Sequence, residues 1–434
     1  MLSSKWLWHL TRATHRMDVR ALAISLLAVV AAPVALILGR YVSPELADML
    51  GSNAVGNLLT IVASSMLTIT TFSLSTIVAA FATSSTSTSP RATALLMQNA
   101  TTQNMLSTFV GAFIFSLTGL ILLQTEIFDA AGRLALFAVT LVVIALVVIT
   151  LLRWIDFLLR LGRIGYISGQ VDSEATAAIA NRIKEPYLGG MPLADGRDQI
   201  AASAWPVVSQ ETGYIVHIDM AALQECIGEE RSIYLLALPG AMMHPRRVLA
   251  RVTGPHDAEL ENAIRDAVSV ASQRTYDQDP RFGLITLSEI ASKALSPGIN
   301  DPGTAIEVIS RMTRILAMWA GEKRPEEVRF PNVYVPLLSN RDLMRDAFNP
   351  LSRDGAGLIE VQIRLQKSLA ALAHLGDREV GEEARKLSAI ALARAEAALV
   401  VDEERRLLRE TVERAFAGEE PPLAEISFKH AVAE

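Results

Sequence analysis

Four long apolar stretches crowd the first third of the chain. Ala21–Gly39, Ala92–Thr125 and Leu134–Leu152 contain no Lys, Arg, Asp or Glu, and neither does the segment between Met49 and Pro90. Charge-free runs of about 18 or more residues read as membrane-spanning helices. The pattern predicts spans over Val19–Tyr41, Leu58–Ala82, Met105–Leu123 and Leu134–Leu158. Pro33 falls inside the first, where neighbouring helices in a membrane can tolerate a kink. Its charge-free core exceeds the apolar region of an ordinary secretion signal, so it is read as a helix that stays. Ahead of it, Lys5, His9, Arg12 and Arg16 oppose Leu2, Trp6, Leu10, Ala13 and Met17 at helical spacing. That predicts an amphipathic helix over residues 1–18, lying in the interface.

The second span has a pattern of its own. At about 100° per residue, Asn57, Thr60, Ser64, Thr68, Thr71 and Ser75 fall on one stripe, and Leu59, Val62, Met66, Ile69 and Ile77 on the far side. Polar side chains in lipid call for partners. The stripe therefore faces protein or water, either as helix–helix packing or as the lining of a pore. The hydroxyls continue through Thr83–Ser89, and Ser89-Pro90 reads as an N-cap followed by proline at the first helical position. A helix over Pro90–Gln103 is expected from there into the third span. Ser107, Gly111, Ala112, Ser116 and Gly119 suit that span to tight packing. No ionisable residue lies deep in any span, which argues against a proton relay or charge-coupled pump.

Past residue 160 the periodicity changes. Short β-type runs at Ala204–Val208, Gly213–Ile218, Ser232–Leu238 and Val248–Val252 surround a helical Met220–Ile227. Helical periods cover 170–185, Glu259–Arg274, Ser288–Leu295 and Ala305–Trp319, then Gly357–His374, Glu379–Val401 and Glu403–Phe416. Asn332–Leu337 reads as a strand, and 187–203 as a loop. The fold class expected is a four-helix transmembrane domain over 19–160 with a cytoplasmic α+β part. That part comprises an α/β module over 161–255, a mostly helical domain over 256–417 and a loose tail over 418–434.

Charge sets the orientation. Lys5, Arg12, Arg16 and Arg20 precede the first span, and Arg153, Arg160 and Arg163 close the fourth. Glu45, Asp48, Glu126 and Asp129 occupy the loops after spans one and three. Positive flanks stay inside, so both termini are expected in the cytoplasm of a cell with an inner membrane. Seven of the 40 basic and five of the 46 acidic residues precede residue 153, leaving the remainder net acidic by eight. That balance excludes a phosphate-tracking nucleic-acid protein. The partners expected are the lipid bilayer, further copies of the chain and a small ion or solute.

The candidate chemistry is sparse. Seven histidines are scattered without a metal-ligand spacing. The single cysteine, Cys226, permits no intrachain disulfide and reads as a small buried hydrophobe. Neither a phosphate-binding loop nor a nucleophile elbow occurs, so no cofactor and no enzymatic activity are expected. One segment is dense in polar residues, running from Arg274 through Asp277, Asp279 and Arg281 to Asn300 and Asp301. Asp301 followed by Pro302 reads as an N-cap on Ala305–Trp319. An anion at that helix start, near Arg281 or Lys293, is the alternative. Asp277, Asp279 and Glu289 offer oxygen ligands for a divalent cation, with ion pairs to Arg274 and Arg281 as the plainer account.

The pattern RTYDQDPRFGL at 274–284 followed by LSEIASKALSPGINDPGTAI at 287–306 resembles the hallmark of a bacterial family of predicted membrane proteins, domain-of-unknown-function family 2254. GYIVHID at 213–219 and the turn Pro239-Gly240 fit the same family, and the likeness covers nearly the whole chain. It implies an integral membrane protein of bacteria and brings no catalytic residue with it.

Overall fold

The computed structural model describes residues 54–97, 100–125, 130–161, 163–193, 200–321, 327–375 and 377–418. The interfacial helix expected over 1–18, the span over Val19–Tyr41 and the tail beyond 418 lie outside the described residues. What is described falls into two compact units. One holds 54–86 and 93–167; the other holds 87–92 and 168–418.

The first unit is helical. Helix α1 runs Ala54–Ser87, α2 begins at Pro90 and ends at Met97, α3 covers Ala100–Gln124 and α4 Ala130–Arg160. Three stretches are long and apolar enough to cross a membrane, Ala54–Thr83, Thr101–Gln124 and Ala131–Arg160. At about 1.5 Å per residue each exceeds the roughly 30 Å of a hydrocarbon core. The expected count of four thus stands at three among the described residues.

Their shared core is mostly apolar, with Ser73, Ser107, Ser116 and Thr140 also buried in it. Val62, Met66 and Ile77 of α1 pack with Met105, Phe109 and Ala112 of α3 and with Val147, Trp154 and Phe157 of α4. A second cluster joins Leu59, Phe115 and Leu136. Gly119 belongs to this contact, since a Cβ there would lie 3.0 Å from Leu59 Cδ1. All five small residues predicted to pack on α3 are buried.

The second unit mixes sheet and helix. After α5 (Ile164–Lys184) come β1 (Gly190–Leu193), β2 (Trp205–Val208), β3 (Gly213–Ile218), α6 (Met220–Ile227), β4 (Ile233–Leu235), β5 (Met242–Met243) and β6 (Val248–Val252). Next come α7 (Ala258–Asp266), β7 (Val268–Ala271), α8 (Pro280–Ala294), α9 (Pro302–Ala320) and β8 (Phe330–Pro336). Four helices close it: α10 (Asn340–Asp354), α11 (Ile359–Ala373), α12 (Arg378–Ala398) and α13 (Asp402–Ala417). A five-stranded sheet has the order β1-β8-β4-β6-β2, and a three-stranded one β5-β3-β7. In the larger sheet β8 pairs parallel with β1 and β4, and β6 antiparallel with β4 and β2.

Several expected elements change. The helix read over Glu259–Arg274 stops at Asp266, and Val268–Ala271 is a strand instead. Its alternating valines pair with β3, and burial of Val268 outweighs the helical period that continues through it. The loop expected over 187–203 contains β1, which is held by parallel pairing to a strand some 140 residues later. Helix α10 was not expected, although Leu343, Met344, Ala347, Phe348 and Leu351 recur at helical spacing and are buried; it also contains Pro350. The boundary expected at 255 is crossed by the sheet, in which β8 sits beside β4.

Close approach fixes one helix pair. A Cβ on Gly283 of α8 would lie 2.3 Å from Ala175 Cβ of α5, so that position admits no side chain without displacement. Gly283→Ala is expected to cost about 1–3 kcal/mol, the range for overpacking. Gly298→Ala, with open space around it, leaves stability unchanged. Thermal unfolding of the detergent-solubilised protein reads both, and equal midpoints for wild type and G283A would remove the close-contact account.

Candidate functional site

Two places deserve the name of candidate site, one in each unit. The first is the outward face of α1. Asn57, Thr60, Ser64, Thr68, Thr71 and Ser75 are all exposed, while the opposite side of the helix supplies the apolar core. Exposed apolar residues border the stripe, Ile61 and Phe72 along one edge and Leu67 and Leu74 along the other. The stripe thus takes no part in the packing of α1 against α3 and α4. Each hydroxyl donates to its own helix. Thr60 Oγ1 reaches the Gly56 carbonyl at 2.8 Å, Ser64 Oγ that of Thr60 at 3.0 Å and Thr68 Oγ1 that of Ser64 at 3.0 Å. Thr71 Oγ1 donates to the Thr68 carbonyl at 2.9 Å, and Ser75 Oγ to that of Thr71 at 3.0 Å. Ser and Thr bond back to the preceding turn in this way when no other acceptor is offered. With the hydrogens so used, oxygen lone pairs are what the stripe presents outward.

The second place is the polar segment from Arg274 to Asp301. Its centre is a buried ion pair. Arg274 Nε donates to Asp279 Oδ2 at 2.7 Å and Nη2 to Oδ1 at 3.0 Å, with Asp279 1% exposed. Burial pushes the Asp279 carboxyl up from the usual carboxylate range, and the bond and charge of Arg274 pull against that shift. The Arg274 guanidinium also lies 5.4 Å from the centre of the Phe282 ring. Gly240, at φ +90°, closes the other side, since a Cβ there would sit 2.4 Å from Asp279 Oδ2. The Pro239-Gly240 turn and the Arg274 segment are therefore one structure.

The neighbouring residues bind this centre to the rest of the unit. Gln278 brackets Ile218 of β3, accepting its N–H at 2.9 Å, and the Gln278 carbonyl accepts from Arg182 Nη2 at 3.0 Å. Arg281 does not meet Asp277. It pairs with Asp346 at 2.6 Å and Asp342 at 2.8 Å, both on α10. Tyr276 donates to Thr286 Oγ1 at 3.3 Å, and burial pushes its hydroxyl up to about 12. Asp277 borders a cavity of about 260 Å³ with Asn181, Arg182, Lys184 and Leu188. Burial, then the charge of Asp277, raises Glu174 above the ordinary glutamate range.

Two of the three carboxylates considered for a cation are engaged in other contacts. Asp279 is held by Arg274, and Glu289 by Arg91 together with Ser89. At the far end Asn300 takes a left-handed turn at φ +50°, and the Asp301 N–H donates to the Ala294 carbonyl at 2.8 Å. Asp301 then caps α9, accepting from Thr304 N at 3.0 Å and Thr304 Oγ1 at 2.6 Å. These bonds hold its carboxyl below the usual range. Asp301 thus occupies the first turn, and Arg281, one of the two cations expected near an anion there, is engaged on α10.

One link lay outside what the sequence reading assembled. Ser89 and Arg91 reach Glu289 across about 200 positions. The signal for it was present, since Arg91 is the single charged residue between Asp48 and Glu126. Cys226 packs against the sheet core, and burial pushes its thiol up to about 11, far from a reactive thiolate.

Asp279→Ala strands Arg274 and is expected to cost about 3–5 kcal/mol, the penalty for breaking a buried pair. Chemical denaturation measures it, and a loss no larger than that of an exposed control such as Arg246→Ala would refute the central pair. Asp301 carries a pH signature. Its carboxyl is depressed in the folded state, so its contribution is complete above the unfolded pKa and is lost as pH falls through the folded value. Below about pH 4 wild type should lose stability that Asp301→Asn does not, as read by unfolding midpoints across an acid series.

The model for predicted membrane proteins of domain-of-unknown-function family 2254 matches residues 14–371. An uncharacterized protein of Mycobacterium bovis is 28% identical over 135 residues, which is 30% of this chain and 26% of that one. An uncharacterized protein of Mycobacterium tuberculosis matches to the same extent. The matched stretch thus spans about a quarter of these relatives' length. No solved structure matches. With the family model covering most of its length, the chain belongs to this family of predicted membrane proteins.

Proposed function

We propose that the chain is a multi-pass protein of the bacterial inner membrane. In this reading several copies gather their α1 helices around a channel-like path, controlled by the mixed unit on the cytoplasmic side. The observation that carries the reading is the direction of the α1 stripe. Three spans pack through clusters of apolar side chains, with Ser73, Ser107, Ser116 and Thr140 buried among them. The polar face of α1 is turned outward, between two apolar edges. A lumen between copies would be lined by the stripe and sealed by the edges, and the bilayer is the surrounding partner.

The hydroxyl geometry bears on what would pass. Donors committed to carbonyls leave a surface of acceptors, as in filters that replace hydration with oxygen ligands. Such a surface favours a small cation or a hydrogen-bond donor over an anion. The spans bring no buried charge to couple transport to protons, and Arg133, Arg153, Asp156 and Arg160 lie toward the ends of α4. The reading includes no enzymatic step and no cofactor.

A second reading has its own observation. Back-bonded hydroxyls have satisfied donors, so the stripe is also compatible with a non-conducting scaffold or sensor packed against another helix.

Flux from proteoliposomes separates the two. Ser64→Leu with Thr68→Leu is expected to lower potassium flux about tenfold, by dewetting the lining, while chloride flux stays at background. Thr68→Cys in a Cys226→Ser background should react with a charged, water-soluble thiol reagent and block the flux. Wild-type protein that passes neither ion, or Leu variants that conduct as wild type does, would leave the scaffold reading in possession.

A further inference from the structure

Helix α1 ends at Ser87, and the residues that follow are held by one carboxylate. Ser89 Oγ donates to Glu289 Oε2 at 2.5 Å. Arg91 Nη1 donates to Glu289 Oε1 and forms an ion pair with it. The Arg91 N–H in turn donates to Ser89 Oγ at 3.2 Å. Thr88, Ser89 and Ala92 are buried, while Pro90 and Arg91 are exposed. Residues 87–92 accordingly belong to the same compact unit as Glu289.

Glu289 is itself well anchored. It lies on α8, ten positions after Asp279 starts that helix, and Gly283 between them presses on α5. Tyr276 lies within electrostatic reach, since Glu289, Glu174 and Arg91 all act on its hydroxyl. The carboxylate that holds 88–92 is thus fixed to the most tightly determined part of the mixed unit. An isolated surface pair between Arg91 and Glu289 would contribute little. Two donors converging on one carboxylate beside a buried Ser89 form a defined contact with two states, made or broken.

We propose that Glu289 is a latch, through which the mixed unit fixes the segment continuing from α1 and so controls the path that α1 lines. Glu289 and Arg91 are positioning residues in this scheme. The control rests on the channel reading given above; the latch itself does not. A change that rotates or shifts α8 moves Glu289 and, through Ser89 and Arg91, the residues 87–92 that belong to the same unit.

The test uses the full chain in proteoliposomes with two readouts. Amide hydrogen exchange over 87–92 reports the latch. Arg91→Glu and Glu289→Ala are each expected to raise that exchange about tenfold, and the charge swap R91E/E289R should restore protection. Potassium flux reports control. The two single variants should shift it by about fivefold or more, in a common direction, with partial return in the swap. Unchanged exchange in both single variants overturns the latch. Altered exchange with a conducting wild type whose flux ignores the variants overturns the control. Altered exchange in a protein that never conducts upholds the latch and removes the channel reading.

Discussion

A carboxylate removed from water must be answered by a cation or lose its charge, and Asp279 is answered by Arg274. Transfer of an unpaired ion into a protein interior costs several kcal/mol. Closure around this pair therefore dictates its surroundings. Gly240 has no side chain because the carboxylate occupies that space. Phe282 lies beneath the guanidinium. Pro280 follows Asp279 at the first helical position, so the buried anion also marks where α8 begins. From that start the helix carries Gly283 to α5, Thr286 to Tyr276 and Glu289 to Arg91. Contacts to two neighbouring elements and to 88–92 are thus set by the phase of one helix, and that phase is set by the ion pair.

This explains why the densest motif in the sequence is structural before it is anything else. Arg274, Asp279, Arg281 and Asp301 each end in a saturated contact: a carboxylate, a guanidinium, a pair of aspartates and a helix start. Gln278 adds a tie to β3, which carries the GYIVHID stretch. Three separated pieces of family pattern, at 213–219, 239–240 and 274–306, prove to be neighbours in space.

The parts legible in the sequence are those decided locally. Charge-free length gave three of the spans, and helical phase placed the α1 stripe opposite its apolar side. Asp301-Pro302 gave the start of α9. What escaped was decided at a distance. Val268–Ala271 is a strand because β3 lies beside it, and Gly190–Leu193 because β8 does. Arg281 was expected beside its sequence neighbours and instead pairs with Asp342 and Asp346, 61 and 65 positions later on α10. Glu289 looked like a member of an acidic group, yet its partners are Ser89 and Arg91. The lone charge at Arg91 was the trace that long-range pairing left in the sequence.

The α1 stripe shows why orientation, more than polarity, bears the functional argument. Hydroxyls bonded to the preceding turn are tolerable in lipid, so their presence on a span does not by itself demand a partner. Had they been turned into the bundle, interhelical packing would explain them completely. Instead the apolar side of the helix is spent on α3 and α4, and the acceptor side is left facing away. In the channel proposed above, that face is one wall of a passage between copies, and the residues that follow α1 are held through Ser89 and Arg91.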